Sequence, residues 1–241
     1  MKVSLIIPAF NEERLIADTL GSVKHAMEAF SAGGWETELV VCDNNSTDCT
    51  AELARAAGAK VTFEPVNQIA RARNRGAEAA SGDWFIFVDA DSKPTRELFE
   101  EVRVQISSGR CLAGGCTVRL EGNYPVAGFV IGFWNSVSKT CRWMAGSFIF
   151  CEAGAFREIG GFSNELFAGE EIDLSKRLKK LARQKHKKII ILDRHPLATS
   201  ARKLHLYSLR EHLWFIAKAS LAPRSTVRRR EACHTWYDGR R

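Results

Sequence analysis

The 241-residue chain predicts an α/β fold, with a mixed but mostly parallel central sheet and helices on both faces. Three observations carry this. Short β-branched runs alternate with segments of helical period from residue 3 to residue 88. Carboxylates stand directly after two of those runs, at Asp43 and Asp89. Composition is 45% hydrophobic and 26% charged, apolar enough for a sizeable core and against disorder along the whole length.

Residues 3–7 (Val-Ser-Leu-Ile-Ile) form the first expected strand. A helix is expected from residue 11 to about residue 30, because Leu15, Ile16, Leu20, Val23 and Met27 recur at helical spacing. Gly33-Gly34 breaks it. Residues 38–42 are the second strand, followed by capping residues Ser46, Thr47 and Asp48, a helix over 50–57, and Gly58 as its stop. A third strand (60–63), a third helix (70–80), the turn Ser81-Gly82-Asp83 and a fourth strand (84–88) complete the alternating half. Further strands are expected at 111–120 and 147–151 with a helix between, then a late strand at 188–192 and an amphipathic helix at 207–221. The expected organisation is one domain over 1–200, with a ligand half (1–110) and a second half (111–200), followed by a basic segment over 201–241.

Charge is unevenly spread. Residues 1–175 hold 16 Lys/Arg and 24 Asp/Glu (−8), whereas residues 176–241 hold 19 and 4 (+15), which together make the net +7. Such a basic end suits phosphates, an acidic membrane surface or nucleic acid. The seven cysteines include no Cys-x-x-Cys and no zinc spacing, which fits reduced thiols in the cytosol. No basic, apolar leader precedes the first strand, so a secretory signal is not expected. The apolar stretch 126–134 is far too short to span a bilayer.

In open parallel sheets ligands collect beyond the carboxyl ends of strands. Asp43 and Asp89-Ala90-Asp91 both fall there. Two carboxylates separated by one small residue can share Mg²⁺ or Mn²⁺ with substrate phosphates, and Ala90 leaves space for a flat ligand. Asp43 can accept hydrogen bonds from a ribose or base, while Ser46 to Asp48 also suit a capping turn. The loop Pro8-Ala9-Phe10-Asn11-Glu12 leads into a helix N-terminus, where free N–H groups favour anions. Arg71, Arg73 and Arg75 point in different directions on a helix, so one of them can face a ligand.

Taken in order, these pieces resemble family-2 glycosyltransferases. The matching segments are Pro8-Ala9-Phe10-Asn11-Glu12, Asp43 with Asn45-Ser46-Thr47-Asp48, Ala72-Arg73-Asn74-x-Gly76 with Ser81-Gly82-Asp83, and Phe87-Val88-Asp89-Ala90-Asp91. Downstream, residues 156–162 (Phe-Arg-Glu-Ile-Gly-Gly-Phe) and 169–178, which contain Glu170, Glu171, Asp173 and Arg177, resemble the family's acceptor-side segment. The likeness covers about residues 1–180.

It implies a GT-A fold and inverting transfer from a nucleotide diphospho-sugar. UDP is the favoured nucleotide, with Mn²⁺ or Mg²⁺ as cofactor. It implies that Asp43 and Asp89 hold the nucleoside, that Asp91 binds the metal, that Pro8, Ala9 and Glu12 line the base pocket, and that Arg73 lies near the nucleotide. The family's acceptor-side pair reads Glu-Asp, with the Asp as general base. Here it reads Glu170-Glu171, which puts Glu171 at the base position and Asp173 as the alternative. The extra methylene keeps a catalytically weak or inactive relative as an alternative reading.

Arg202 and Lys203 are candidate diphosphate contacts, and His195 and His205 are candidate third metal ligands. The 207–221 segment followed by Arg228-Arg229-Arg230 suits either packing on the sheet or peripheral contact with a membrane's inner face. The acceptor, lipid-linked or polysaccharide among others, is left open. Nucleotidyltransferase and dinucleotide chemistry are disfavoured, because no Gly-rich loop follows the first strand. A nucleic-acid-binding module would leave the ordered acidic motifs unexplained, so no nucleic-acid partner is expected.

Overall fold

A computed structural model describes residues 1–122, 124–200 and 227–233. Its strands are β1 (Lys2–Ala9), β2 (Glu36–Asp43), β3 (Lys60–Phe63), β4 (Trp84–Val88), β5 (Ser92–Lys93), β6 (Cys111–Leu120), β7 (Phe148–Glu152) and β8 (Lys188–Thr199). Its helices are α1 (Ile16–Ser31), α2 (Thr50–Ala56), α3 (Ile69–Ala79), α4 (Arg96–Ser107), α5 (Pro125–Cys141), α6 (Ala153–Glu158) and α7 (Glu170–Gln184). The strands form one sheet in the order β3-β2-β1-β4-β7-β6-β8-β5. Strands β3, β2, β1 and β4 run parallel. β7 is antiparallel to both β4 and β6, β6 and β8 are parallel, and β5 closes the edge antiparallel to β8.

The sheet separates two cores. One face buries Leu20, Val23 and Phe30 of α1, Ala54 of α2 and Leu98, Phe99 and Val102 of α4, with Ile131 and Trp134 of α5 packed alongside. The other buries Ala70 and Ala77 of α3, Phe156 of α6 and Leu174, Leu178 and Leu181 of α7. Covering both faces explains why β1 and β4 read as continuous apolar runs rather than alternating ones.

α1 starts at Ile16, not at residue 11. Asn11 sits at φ 51°, and its side chain accepts a hydrogen bond from the Thr47 amide, so the chain turns before the helix begins. Helix α4 and strand β5 were not foreseen from sequence. α4 nevertheless carries its signal there: Leu98, Phe99, Val102 and Ile106 at helical spacing, after Thr95, whose side chain caps the Leu98 amide. β8 runs past residue 192 to Thr199 and tolerates Pro196 because its register against β6 shifts between Cys116 and Val118.

Gly76 shows how closely α3 lies on β1. A Cβ there would stand 2.5 Å from Ile6 Cγ2 and 3.7 Å from Cys42 Cβ. Gly76→Ala is therefore expected to cost about 1–3 kcal/mol by overpacking, read as a lower midpoint in denaturant unfolding. An unchanged midpoint would show that α3 can lift away freely.

No disulfide joins Cys42, Cys49, Cys111, Cys116, Cys141 or Cys151. Burial pushes the thiols of Cys42, Cys111 and Cys116 up to about 12, so they act as packing groups and not as nucleophiles. Among the described residues no helix is long and apolar enough to cross a membrane.

Candidate active site

The site is assembled around one arginine. Arg73 lies on α3 with its side chain 1% exposed. Its Nη2 donates to Asp89 Oδ1 at 2.8 Å and to the Gly146 carbonyl at 2.8 Å, while Nη1 donates to Glu170 Oε1 at 2.7 Å. The guanidinium also lies 5.2 Å from the centre of the Phe162 ring. Burial works against the charge on Arg73, but Asp89 and Glu170 outweigh it and hold the pKa above its ordinary value. Helical geometry selects Arg73 from its trio, since Arg71 and Arg75, four apart, share the face opposite to it. The Arg75 side chain is half exposed and pairs with Glu78 one turn on.

Asp89 stands just beyond β4, where its amide donates to the Ser147 carbonyl ahead of β7. Gly169, at φ 73°, turns the chain into α7 and places Glu170 and Glu171 in its first turn. The result is a cleft of about 200 Å³ lined by Ile69, Arg73, Asp89, Gly146, Ser147 and residues 167–171. Gly146 lies between its two charged walls: a Cβ built there would be 3.4 Å from Arg73 Nη2 and 3.7 Å from Glu171 Cδ. Burial, the Glu170 charge and a side-chain hydrogen bond to Glu170 push the Glu171 carboxyl up to about 8. A carboxyl with that pKa is poised to exchange a proton near neutral pH.

Other predicted residues lie elsewhere. Asp173 does not line the cleft; its Oδ2 is 2.7 Å from Nε and Nη2 of Arg177, whose Nη1 donates to the Ile159 carbonyl. Ala9 and Ala90 are buried in the core, and the Ala90 carbonyl accepts from Thr19 Oγ1. Pro8 and Glu12 are buried, and the Glu12 amide donates to Thr50 Oγ1. Asp43, also buried, accepts the Ser46 amide, while Asp48 accepts the Glu13 and Thr50 amides, so this cluster organises the turn, as its capping chemistry suggested. His195 Nδ1 is 2.9 Å from Glu101 Oε1 of α4.

Half-buried Asp91 is flanked by the edge of the sheet. Ser92 pairs with Thr199, and the Ser200 amide donates to the Asp91 carbonyl at 3.1 Å. The chain leaving β8 thus passes Asp91. Arg202, Lys203, His205 and the 207–221 segment lie outside the described residues. Farther on, the Phe167 amide donates to the Val227 carbonyl, and Arg228 pairs with Glu165 at 2.7 Å, so part of the basic C-terminal run is tied to the loop that walls the cleft.

Sequence reasoning missed Ile69, Gly146, Ser147 and residues 167–168. Gly146 and Ser147 reach the site because β7 inserts beside β4, a pairing that no local pattern announces.

A parallel half joined through an antiparallel strand to a second half is the GT-A arrangement. The fold matches S. aureus TarS 1-349 in complex with UDP-GlcNAc at TM-score 0.65, with 20% identity, over 98% of this chain and 69% of that one. It also matches the mannosyltransferase PcManGT from Pyrobaculum calidifontis in complex with GDP-Man and Mn²⁺ at TM-score 0.65, with 19% identity, over 90% and 60%. Residues 4–127 match the family described as Glycosyl transferase family 2, and the chain belongs to that family. Among curated relatives, a dolichol-phosphate mannosyltransferase of Pyrococcus furiosus is 32% identical over 123 residues, which is 48% of this chain and 33% of that protein. The chain spans roughly a quarter to a third of the length of the first relatives it matches.

Proposed function

We propose that the protein transfers a sugar from a nucleotide-diphosphate donor, a UDP-sugar in first preference, to an acceptor hydroxyl with inversion at the anomeric carbon. The observation that carries this is the cleft with Asp89 on one wall and Glu171 on the other, braced beneath by Arg73. In the reaction, a Glu171 carboxylate oxygen takes the acceptor hydroxyl proton as that oxygen bonds to the anomeric carbon, and the bond from that carbon to the diphosphate oxygen breaks, so the electron pair leaves with the nucleotide. Glu171 suits the role because it lines the cleft, whereas Asp173 is committed to Arg177.

A divalent metal fits Asp91 by donor chemistry. Mg²⁺ and Mn²⁺ accept one or two carboxylates and fill the remaining positions with water and phosphate oxygens, so no protein cage is required. Accordingly, no three His, Cys, Asp or Glu side chains among the described residues converge into one. The metal would supply neutralisation of the diphosphate charge on leaving. PcManGT, bound to GDP-Man and Mn²⁺, lends support by its fold.

The reading is tested by thermal shift with UDP, GDP and their sugars, with Mn²⁺ or with chelator. Stabilisation by a nucleotide with Mn²⁺ is expected, and absence of stabilisation under every condition would sink the proposal. Asp91→Ala is expected to abolish metal-dependent donor hydrolysis. Turnover equal to the parent enzyme would remove Asp91 from the metal site.

A further inference from the structure

Gln68 directly precedes α3, at the position where a helix commonly spends a side chain on its own first amides. Here no such bond is made, and the side chain is used elsewhere. Gln68 is 2% exposed, and its Nε2 donates to the carbonyls of Asn164 and Leu166, each at 2.9 Å. A primary amide has two N–H donors, so both are spent on one distant loop. Taking them away would leave two carbonyls short of a partner, which costs more than the bonds themselves contribute.

That loop walls the cleft. Asn74 of α3 holds its start, where Nδ2 donates to the Phe162 carbonyl and Oδ1 accepts the Phe162 amide, both at 2.9 Å. Arg73 holds its end at Glu170. Gln68 holds the middle, and residues 167–169, left between Leu166 and Glu170, all line the cleft. On the outer side, the Phe167 amide donates to the Val227 carbonyl, and Arg228 pairs with Glu165. The side chains of that pair are 58% and 70% exposed, and an ion pair in water holds little.

Gln68 is in turn fixed by the strand ends of the first half. Its amide donates to Asn44 Oδ1 at 2.9 Å. Asn44, itself buried, donates Nδ2 to the carbonyls of Glu64 and Val66, and its amide donates to the Ala9 carbonyl at 2.8 Å. Asn44 directly follows Asp43. A continuous chain of hydrogen bonds therefore runs from the ends of β1 and β2 through Asn44 and Gln68 to the loop that ends at Glu170 and Glu171.

We propose that Gln68 is a positioning residue, which fixes the cleft wall carrying Glu171 relative to the strand ends at Ala9 and Asp43. The proposal rests on the function given above, in which the nucleotide lies at those strand ends and Glu171 meets the acceptor hydroxyl. Slack at Leu166 lets residues 167–169 shift and carries Glu171 away from that hydroxyl, although no group that touches substrate is removed. A misplacement of about 1 Å is enough to cost up to about 10²-fold in rate.

The test compares two variants of the full chain. Gln68→Met keeps the length of the side chain and removes both donors, whereas Gln68→Asn keeps the amide and draws it back by one methylene. Donor hydrolysis is measured with Mn²⁺ and UDP-glucose, UDP-N-acetylglucosamine or GDP-mannose, and affinity with UDP or GDP. Gln68→Met is expected to lower kcat by about 10- to 10²-fold and Gln68→Asn by less, while nucleotide affinity stays at the parent value. Hydrogen exchange of the free protein supplies a readout without substrate: amides over residues 164–171 exchange faster in the variants, and those of β1 and β2 keep parent rates. If Gln68→Met does not fold, Gln68→Asn carries the comparison, its folding shown by parent-like nucleotide affinity. Parent-like turnover in the folded variants, or parent-like exchange over 164–171, would overturn the role. So would a loss of turnover matched by an equal loss of nucleotide affinity, since Gln68 would then hold the fold as a whole. A parent protein that binds no nucleotide would sink the glycosyltransferase reading and this role with it, an outcome told apart because it shows before any substitution is made.

Discussion

Glu171→Gln is expected to lower turnover by about 10²- to 10⁴-fold, the range that a positioned general base contributes, while nucleotide affinity stays near the parent value. The amide keeps the size of the side chain but cannot accept the acceptor's proton. The pH profile supplies a second signature. The proposed base would work as the carboxylate, and burial beside Glu170 pushes its pKa up to about 8, so kcat/KM of the parent is expected to rise with pH through that region. Stability moves the other way. A carboxyl raised above its ordinary 4.5 binds its proton more tightly in the folded state, so its contribution is fully present below 4.5 and is lost as pH climbs to about 8. Glu171→Gln is therefore expected to melt a few degrees above the parent at alkaline pH and about equally at pH 4. Activity measurements and melting curves across this window check both statements. Parent-like turnover would remove Glu171 as the base. Glu171→Asp, which restores the family's usual pair, tests whether the shorter side chain still reaches the acceptor.

Arg73→Met is expected to cost about 3–5 kcal/mol of folding stability, because it leaves buried Glu170 and partly buried Asp89 without their counter-charge. It should also abolish turnover, since the two walls of the cleft are joined through this side chain. Lysine should rescue only in part. The guanidinium reaches Glu170 with one nitrogen and Asp89 and Gly146 with the other, whereas an ammonium is a single point. Loss of activity by itself would not separate bracing from folding, so the triple change Arg73→Met/Asp89→Asn/Glu170→Gln is informative. Neutralising all three groups is expected to recover much of the stability and none of the activity, read by denaturant unfolding beside donor hydrolysis. Recovery of activity in the triple variant would show that the bridge is structural only.

The alternating half was legible because its signals are local. The apolar runs of β1, β2 and β4 lie in the interior of a sheet covered on both sides, and α3 and α1 carry a 3.6-residue period. Boundaries were less legible: Asn11 delays α1, and the bulge opposite Cys116 lets β8 pass Pro196. Among site residues, Asp89, Asp91 and Glu171 stood out as acids at strand ends or at a helix start. That Ala9 and Ala90 are buried in the core was not legible, because motif position says nothing about which side of the sheet a residue faces.

By itself the sequence determined the α/β class, the family and the order of the acidic motifs, since each depends on residues close along the chain. Only the tertiary structure decided how those motifs meet. It joined Arg73 to Glu170 and Asp89 in one bridge, placed Glu171 in the cleft wall and Asp173 against Arg177, and set His195 against Glu101. The physical reason is the same in each case. The partners, Glu170 for Arg73, Arg177 for Asp173 and Glu101 for His195, are selected by the strand insertion and helix packing that bring distant segments together, and side-chain charge and hydrogen bonding are then settled by whichever group arrives within about 3 Å.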